Sequence, residues 1–192
     1  MAKILENLYK ALGAGVVLAL IIFLVGYHSF DTVFVAFFVR WLHVLSGILW
    51  IGLLWYFNFV QIPTMPKIPA ELKPAVGKYI APEALFWFRW SALATVVTGL
   101  VLSGLNGYGH QALALQEGAR IIGIGMWLGL FMAANVWFII WPNQKRALGI
   151  VPADDALKAK SARIAMLGSR TNFVLSLPML YCMVAQQNGL AL

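Results

Sequence analysis

The chain has 192 residues, of which 61% are apolar and only 11% are charged, and its formal net charge is +7. A soluble domain needs more charge than this on its surface, so the composition excludes an ordinary soluble fold and favours a membrane protein. The positive charge does not indicate nucleic acid as a partner, because the basic residues stand at the ends of apolar segments and form no stripe with stacking aromatic residues.

Five apolar segments follow one another along the chain, each long enough to cross the ~30 Å hydrocarbon core of a bilayer as a helix. They cover residues 11–27, 34–60, 83–105, 119–141 and 162–185. Open strands would leave backbone groups unpaired in lipid. The sequence therefore predicts an all-α integral membrane protein, a bundle of about five transmembrane helices that forms a single domain over 1–192.

The first segment follows Lys3 and Lys10, as the apolar part of a signal peptide would. No small-x-small cleavage site occurs at residues 25–28, so we expect this segment to be retained as an anchor. Cys182 is the only cysteine, which excludes a disulfide within the chain and a covalently attached c-type haem.

The connections carry prolines and capping residues. Five prolines between residues 61 and 82 predict a stiff, partly extended loop. We expect Pro142 to end the fourth helix and Pro178 to kink the fifth. Asp154 and Asp155 are expected to cap a short amphipathic helix that leads into the fifth segment.

The basic residues predict an orientation in the membrane. With the N-terminus in the cytoplasm, two of the 14 basic residues, Arg40 and Arg120, fall on the outer side. All others fall on the inner side: Lys3, Lys10, Lys67, Lys73, Lys78, Arg89, Lys145, Arg146, Lys158, Lys160, Arg163 and Arg170. This positive-inside bias predicts a multi-pass protein of the bacterial inner membrane with its C-terminus in the periplasm.

The second segment carries the strongest candidates for chemistry. One helical face, here called the α3 stripe, holds Arg40, His43, Gly47, Trp50, Leu54, Asn58 and Gln61. A polar stripe in a membrane helix must face the protein interior or a cavity. His43 lies well inside this segment, and we weigh three roles for it: a haem or metal ligand, a proton-transfer group, or an interhelical hydrogen-bond donor that fixes packing.

A haem b bound by His43 needs a second axial ligand from a similar depth. His28 and His110 lie towards the outer surface, whereas Met126 and Met183 lie inside the fourth and fifth segments. Histidine and methionine are both competent axial ligands, and the spacing does not choose among these four. Arg40, one turn above His43, is expected to pair with a carboxylate of the haem or of an anionic substrate.

The other segments carry weaker polar groups, which we expect to hydrogen-bond across helices. They are Ser91, Thr95, Thr98, Asn135, Ser169, Asn172 and Ser176. Gly125 and Gly129 form a small-residue seam that permits close helix contact, either inside the bundle or between two copies in a homo-oligomer.

Several motifs resemble the membrane domain of the bacterial urate hydroxylase family, the membrane urate oxidases linked to cytochrome c. They are RWLHVLSG at 40–47, WIG at 50–52, WYFNFV at 55–60, FRW at 88–90, NVWFIIWPNQ at 135–144 and SRTNFVLSLPML at 169–180. The resemblance implies a short stand-alone relative with a membrane redox role, in which electrons leave towards a periplasmic cytochrome c or a larger membrane complex.

Three functions follow as hypotheses. The first is a redox protein that binds haem b near the periplasmic side through His43, with Arg40 and Trp50 lining the cofactor. The second is a non-catalytic auxiliary or assembly subunit of a larger membrane complex. The third, a small-molecule channel or carrier, depends on the α3 stripe alone.

Overall fold

The computed structural model describes residues 2–26 and 30–189, which form helices and turns and no strand. The predicted all-helical fold is therefore confirmed. The chain divides into two compact units, Met1–Phe38 and Val39–Leu192. His28, one of the predicted ligands, lies outside the described residues.

The first unit contains α1 (Ala2–Leu5), α2 (Leu8–Gly26) and the first turns of α3 (Thr32–Tyr56). Asp31 begins α3 by accepting a hydrogen bond from the Phe34 amide at 2.9 Å, which satisfies one of the unpaired N–H groups of the first turn. Phe23 of α2 lies 4.4 Å from Phe34, ring centre to ring centre. No residue of α2 is buried within this unit.

The second unit contains the rest of α3 and all later elements. These are the first π-helical segment (Phe57–Gln61), α4 (Ile62–Thr64), a 3₁₀ turn (Met65–Lys67), α5 (Lys73–Ala75), the second π-helical segment (Val76–Ile80), α6 (Ala81–Leu105), α7 (Gly109–Leu113), α8 (Arg120–Asn135), the third π-helical segment (Val136–Ile140), α9 (Trp141–Ala147) and α10 (Asp155–Gln187). Its core includes Trp50, Leu54, Phe88, Met132 and Val136, each at most 1% exposed.

The prolines act differently from the prediction. Each π-helical segment of the described chain is followed by a helix with proline at its second position, at Pro63, Pro82 and Pro142. A proline cannot donate a backbone hydrogen bond and its ring clashes with the preceding turn, and a widened π turn accommodates both defects. The predicted extended loop at 61–82 is therefore wrong, since this stretch consists mainly of helical turns, and the predicted end of the helix at Pro142 is also wrong.

Four helical stretches of the described chain are long and apolar enough to cross a membrane: Leu8–Gly26, Thr32–Lys67, Lys73–Leu105 and Arg120–Ala147. They correspond to the first four predicted segments. The fifth segment lies within α10, where Asp154 caps the helix by accepting a hydrogen bond from the Leu157 amide at 2.7 Å, as predicted. The predicted short helix and fifth segment are one continuous helix. Its polar residues, among them Arg170 and Asn172, keep it outside this set of four.

Candidate functional site

The α3 stripe faces the inside of the second unit, as the sequence predicts. Trp50, Leu54 and Asn58 are fully buried, and Arg40 and His43 are half-buried. The stripe therefore changes along the helix from a partly open end near His43 to a closed interior near Asn58. The His43 end of the stripe contacts α6, whereas the Asn58 end contacts α10.

His43 is held by α6. Its Nδ1 lies 2.9 Å from the Thr95 carbonyl oxygen and 3.2 Å from the Thr98 hydroxyl oxygen. A carbonyl oxygen can only accept, so the proton of the imidazole is on Nδ1. The Thr98 hydroxyl donates its own hydrogen to the Ala94 carbonyl at 2.6 Å and accepts from His43. The neutral ring consequently presents a lone pair on Nε2.

Gly99 gives the His43 ring its position. A Cβ atom at Gly99 would lie 2.8 Å from Cε1 of His43, closer than real Cβ atoms come to a neighbour, and a tight 3.2 Å from Nδ1. The ring therefore packs directly on the backbone of α6. Together with the Thr95 carbonyl, this contact fixes both the tautomer and the orientation of the imidazole, which is how proteins prepare a histidine to bind a metal.

Arg40 lies one turn from His43 and close enough to Tyr108 to influence the pKa of its phenol. Burial raises the pKa of the Tyr108 phenol above its ordinary value, and the Arg40 guanidinium together with a hydrogen bond to Asn106 partly opposes this rise. The one ion pair among the described residues joins Lys158 to Asp155. Arg40 thus has no carboxylate partner within the described chain and can pair with an anionic group of a ligand.

The other predicted ligands occupy different surroundings. Met126 and Met183 pack, together with Tyr108, against a small buried cluster of Ala112, Ala119 and Ile122. His110 lies on α7 and is exposed. The two methionines contact the same cluster, whereas the described contacts of His43 are with α6. The structure therefore brings Met126 and Met183 together and singles out no partner for His43.

A buried polar network joins α3, α8 and α10. Asn58 donates from Nδ2 to the Ser169 hydroxyl at 2.9 Å. Asn135 donates to Asn172 Oδ1 at 2.8 Å, and Asn172 in turn donates to the Met132 carbonyl at 2.9 Å. These are the interhelical hydrogen bonds that the polar residues of the fourth and fifth segments predict.

The hydroxyl groups of α6 behave differently. Ser91, Thr95 and Thr98 donate to carbonyls of their own helix, to Trp87, Ser91 and Ala94 respectively. The predicted interhelical role is wrong for Ser91 and Thr95, because a Ser or Thr in a helix reaches the carbonyl four residues earlier without any partner helix. The Thr95 backbone carbonyl, which the sequence could not single out, is the group that contacts His43.

These residues fit one axial position of haem b. No group of three or more His, Cys, Asp or Glu side chains able to hold a metal ion occurs in the described part of the chain. A haem iron needs only axial ligands, because the porphyrin supplies the other four. His43, with its proton fixed on Nδ1 and its lone pair on Nε2, has the chemistry of such a ligand.

The fold and site define an all-helical protein with four helices able to cross a membrane and a histidine oriented between two of them. Residues 105–191 match the model of a family described as urate oxidase N-terminal. This part of the chain, which includes α7 to α10, is similar to that family, and the predicted resemblance is confirmed there. The motifs at 40–60, which include His43, lie before the match and stay a prediction. Neither a curated protein nor a solved structure matches the chain.

Proposed function

We propose that the protein is a membrane redox protein of urate-related metabolism in which His43 Nε2 is an axial ligand of haem b. The observation that supports this proposal is the hydrogen bond from His43 Nδ1 to the Thr95 carbonyl at 2.9 Å, which leaves Nε2 able to coordinate iron. The positive-inside pattern supports a place in the bacterial inner membrane with His43 near the periplasmic side.

The chain's own residues hold and orient the redox centre. Haem b, when bound, supplies a centre that takes up and releases one electron at a time. Thr95 and Gly99 fix the ring of His43, Arg40 is placed to pair with a haem carboxylate, and Trp50 provides a buried aromatic wall on the same face. The family description points to urate as the source of electrons, and the outer position of His43 suits transfer to a periplasmic cytochrome or partner complex.

The test is a reduced-minus-oxidised absorption spectrum of the protein purified in detergent, with iron determined on the same sample. We expect a haem b spectrum in the native protein and in His110→Ala, a control that removes an exposed histidine. His43→Ala should lose the spectrum. Native protein without colour or iron contradicts the proposal, as does full haem retention by His43→Ala. In that case His43 is a packing residue, whose loss costs about 1 kcal/mol of bundle stability.

A second candidate, a non-catalytic subunit of a larger membrane complex, is favoured by α2. This helix of 19 residues is apolar and has no buried residue, so its surface suits a partner helix as well as lipid. Native gels of the colourless protein test this function, since the protein should then run as a complex larger than one chain.

A further inference from the structure

Two basic side chains, Arg89 of α6 and Lys145 of α9, lie beside the same indole ring, that of Trp141. The guanidinium carbon of Arg89 is 3.4 Å from the centre of the ring, and the ammonium nitrogen of Lys145 is 5.7 Å from it. Both distances are within the range of a cation–π interaction, in which the ring attracts a positive charge. Trp141 thus holds two cations from two helices close together, and these three residues are called the Trp141 site.

Neither cation of the site has an acidic partner. The one ion pair among the described residues, on α10, joins Lys158 to Asp155. Arg89 donates from Nη1 to the Leu85 carbonyl at 3.1 Å, which leaves its other N–H groups unused. Arg89 and Lys145 are half-buried rather than enclosed, so a ligand can reach them. Two positive charges beside one ring repel each other, and an anion bound by both would remove this repulsion.

The surface around the Trp141 site is aromatic and apolar. Phe86, Trp87 and Trp90 flank Arg89 along α6, and all three are exposed. Tryptophan is enriched where the hydrocarbon of a bilayer meets its head groups, because the ring is apolar and its N–H group is polar. A small soluble anion would leave this surface bare, whereas the acyl chains of a lipid would cover it.

The predicted topology places the Trp141 site at the inner face of the membrane. Trp141 is the last residue of the fourth predicted segment, 119–141, and Lys145 lies one turn further on. Arg89 and Lys145 both belong to the basic residues expected on the cytoplasmic side. Anionic head groups at this depth attract lysine and arginine side chains. The charge of the site and its depth therefore suit the same kind of partner.

We propose that the Trp141 site binds the head group of an anionic phospholipid on the cytoplasmic side of the membrane. The phosphate oxygens accept hydrogen bonds from the Arg89 guanidinium and the Lys145 ammonium, and the acyl chains lie against the exposed aromatic residues of α6. A planar guanidinium can donate two parallel hydrogen bonds to one phosphate, which gives the contact its specificity. This site requires that the protein lies in a membrane, and it does not depend on haem.

Native mass spectrometry of the protein in detergent tests the site, because it counts the lipids bound to each molecule. The probes are phosphatidylglycerol and phosphatidylcholine with identical acyl chains, which differ in the net charge of the head group. We expect one phosphatidylglycerol to bind at least about tenfold more tightly than phosphatidylcholine, since a hydrogen bond between charged groups is worth roughly that factor. An excess of glycerol phosphate, which has the anion without the acyl chains, should not displace the lipid.

The variants Arg89→Gln and Lys145→Gln each remove one cation, and each should weaken phosphatidylglycerol binding about tenfold. Lys145→Gln keeps the closer contact of Arg89 with the ring, so this variant should fold even if Arg89→Gln does not. Arg163→Gln and Lys160→Gln are the matched controls. They remove the same charges from exposed positions on α10, on the same predicted side of the membrane, and should bind the lipid as the native protein does.

Equal affinity for the two lipids overturns the site, as does unchanged phosphatidylglycerol binding in both variants. An equal loss in the variants and the controls would also overturn it, because the lipid would then respond only to the summed positive charge of the cytoplasmic surface. Displacement by glycerol phosphate would indicate a site for a soluble phosphate compound and contradict the lipid proposal.

Discussion

At the scale of single residues, the His43 ring is held by a glycine and a backbone carbonyl, and neither of these groups is charged. The imidazole touches the α6 backbone at Gly99 and donates to the Thr95 carbonyl. Both contacts leave Nε2 of the ring without a hydrogen bond. They therefore orient the imidazole and keep Nε2 free to bind a metal ion. A histidine that only joined two helices would need the hydrogen bond but not the bare backbone at Gly99.

Gly99→Ala tests this contact. The added Cβ would lie 2.8 Å from Cε1, so the ring must move and the hydrogen bond to Thr95 must lengthen. We expect haem retention to fall about tenfold, as when a group that orients a metal ligand is lost. Gly104→Ala on the same helix is the control, because its Cβ would meet nothing within 4 Å. Haem absorbance per mole of protein measures both, and equal retention by the two variants would contradict a positioning role for Gly99.

The sequence could predict one side of this contact and not the other. His43 stands out as an ionisable residue inside an apolar segment, and its face follows from helical spacing. Gly99 is one of 17 glycines, and any residue at position 95 would offer the same carbonyl. Their role arises only when α3 and α6 meet, across more than fifty residues of chain.

At the scale of helices, α8 and α10 pack closely because small residues stand at their crossing points. A Cβ at Gly125 would lie 2.9 Å from Cys182 Cβ, and a Cβ at Gly168 would lie 3.2 Å from Asn135 Oδ1 of α8. Gly125 of the predicted seam therefore serves a contact inside the chain. Gly129, one turn further along, is buried as well, but no neighbouring atom lies within 4 Å of its Cβ position.

Gly125→Ala and Gly129→Ala are expected to change stability in opposite directions. Alanine at 125 overpacks the contact with Cys182, at a cost of about 1–3 kcal/mol. Alanine at 129 meets no atom and should stabilise the helix by about 0.5–1 kcal/mol, because glycine is a poor helix former. Thermal unfolding in detergent, followed by circular dichroism, measures both. Destabilisation by both variants would show that the space beside Gly129 is filled in the folded protein.

The helical elements were predictable where apolar runs are long, and less so where prolines occur. The first four segments coincide with helices able to span a membrane, and the cap at Asp154 is as predicted. The predictions at 61–82 and at Pro142 are wrong because Pro63, Pro82 and Pro142 occupy the second position of helices and do not end them. The residues before Pro63, Pro82 and Pro142 form π turns, and neither proline spacing nor composition distinguishes such a turn from a break.

At the scale of the second unit, α10 runs antiparallel to α8 over most of its length. Asn135 near the end of α8 contacts Gly168, Gly125 faces Cys182, and Gln186 near the end of α10 donates to the Gly118 carbonyl just before α8. Because α10 contacts α8 near both ends and in the middle of α8, the two helices must lie at the same depth in a membrane. If α8 crosses a bilayer, α10 must cross it too, with its polar groups directed at the bundle.

The side of the membrane on which the chain ends separates a five-span from a four-span protein. Low hydropathy keeps α10 outside the set of four spanning stretches, but Ser169, Asn172 and Ser176 are buried against protein and do not face lipid. Their polarity therefore carries little cost for insertion. We expect five spans, so a phosphatase active only in the periplasm should be active when fused after Leu192 and inactive when inserted between Lys67 and Lys78. A cytoplasmic fluorescent reporter should give the reverse result at both positions. Phosphatase inactivity at both positions would mean that α10 does not cross the membrane, and the alignment of α10 with α8 would then have to form outside the lipid.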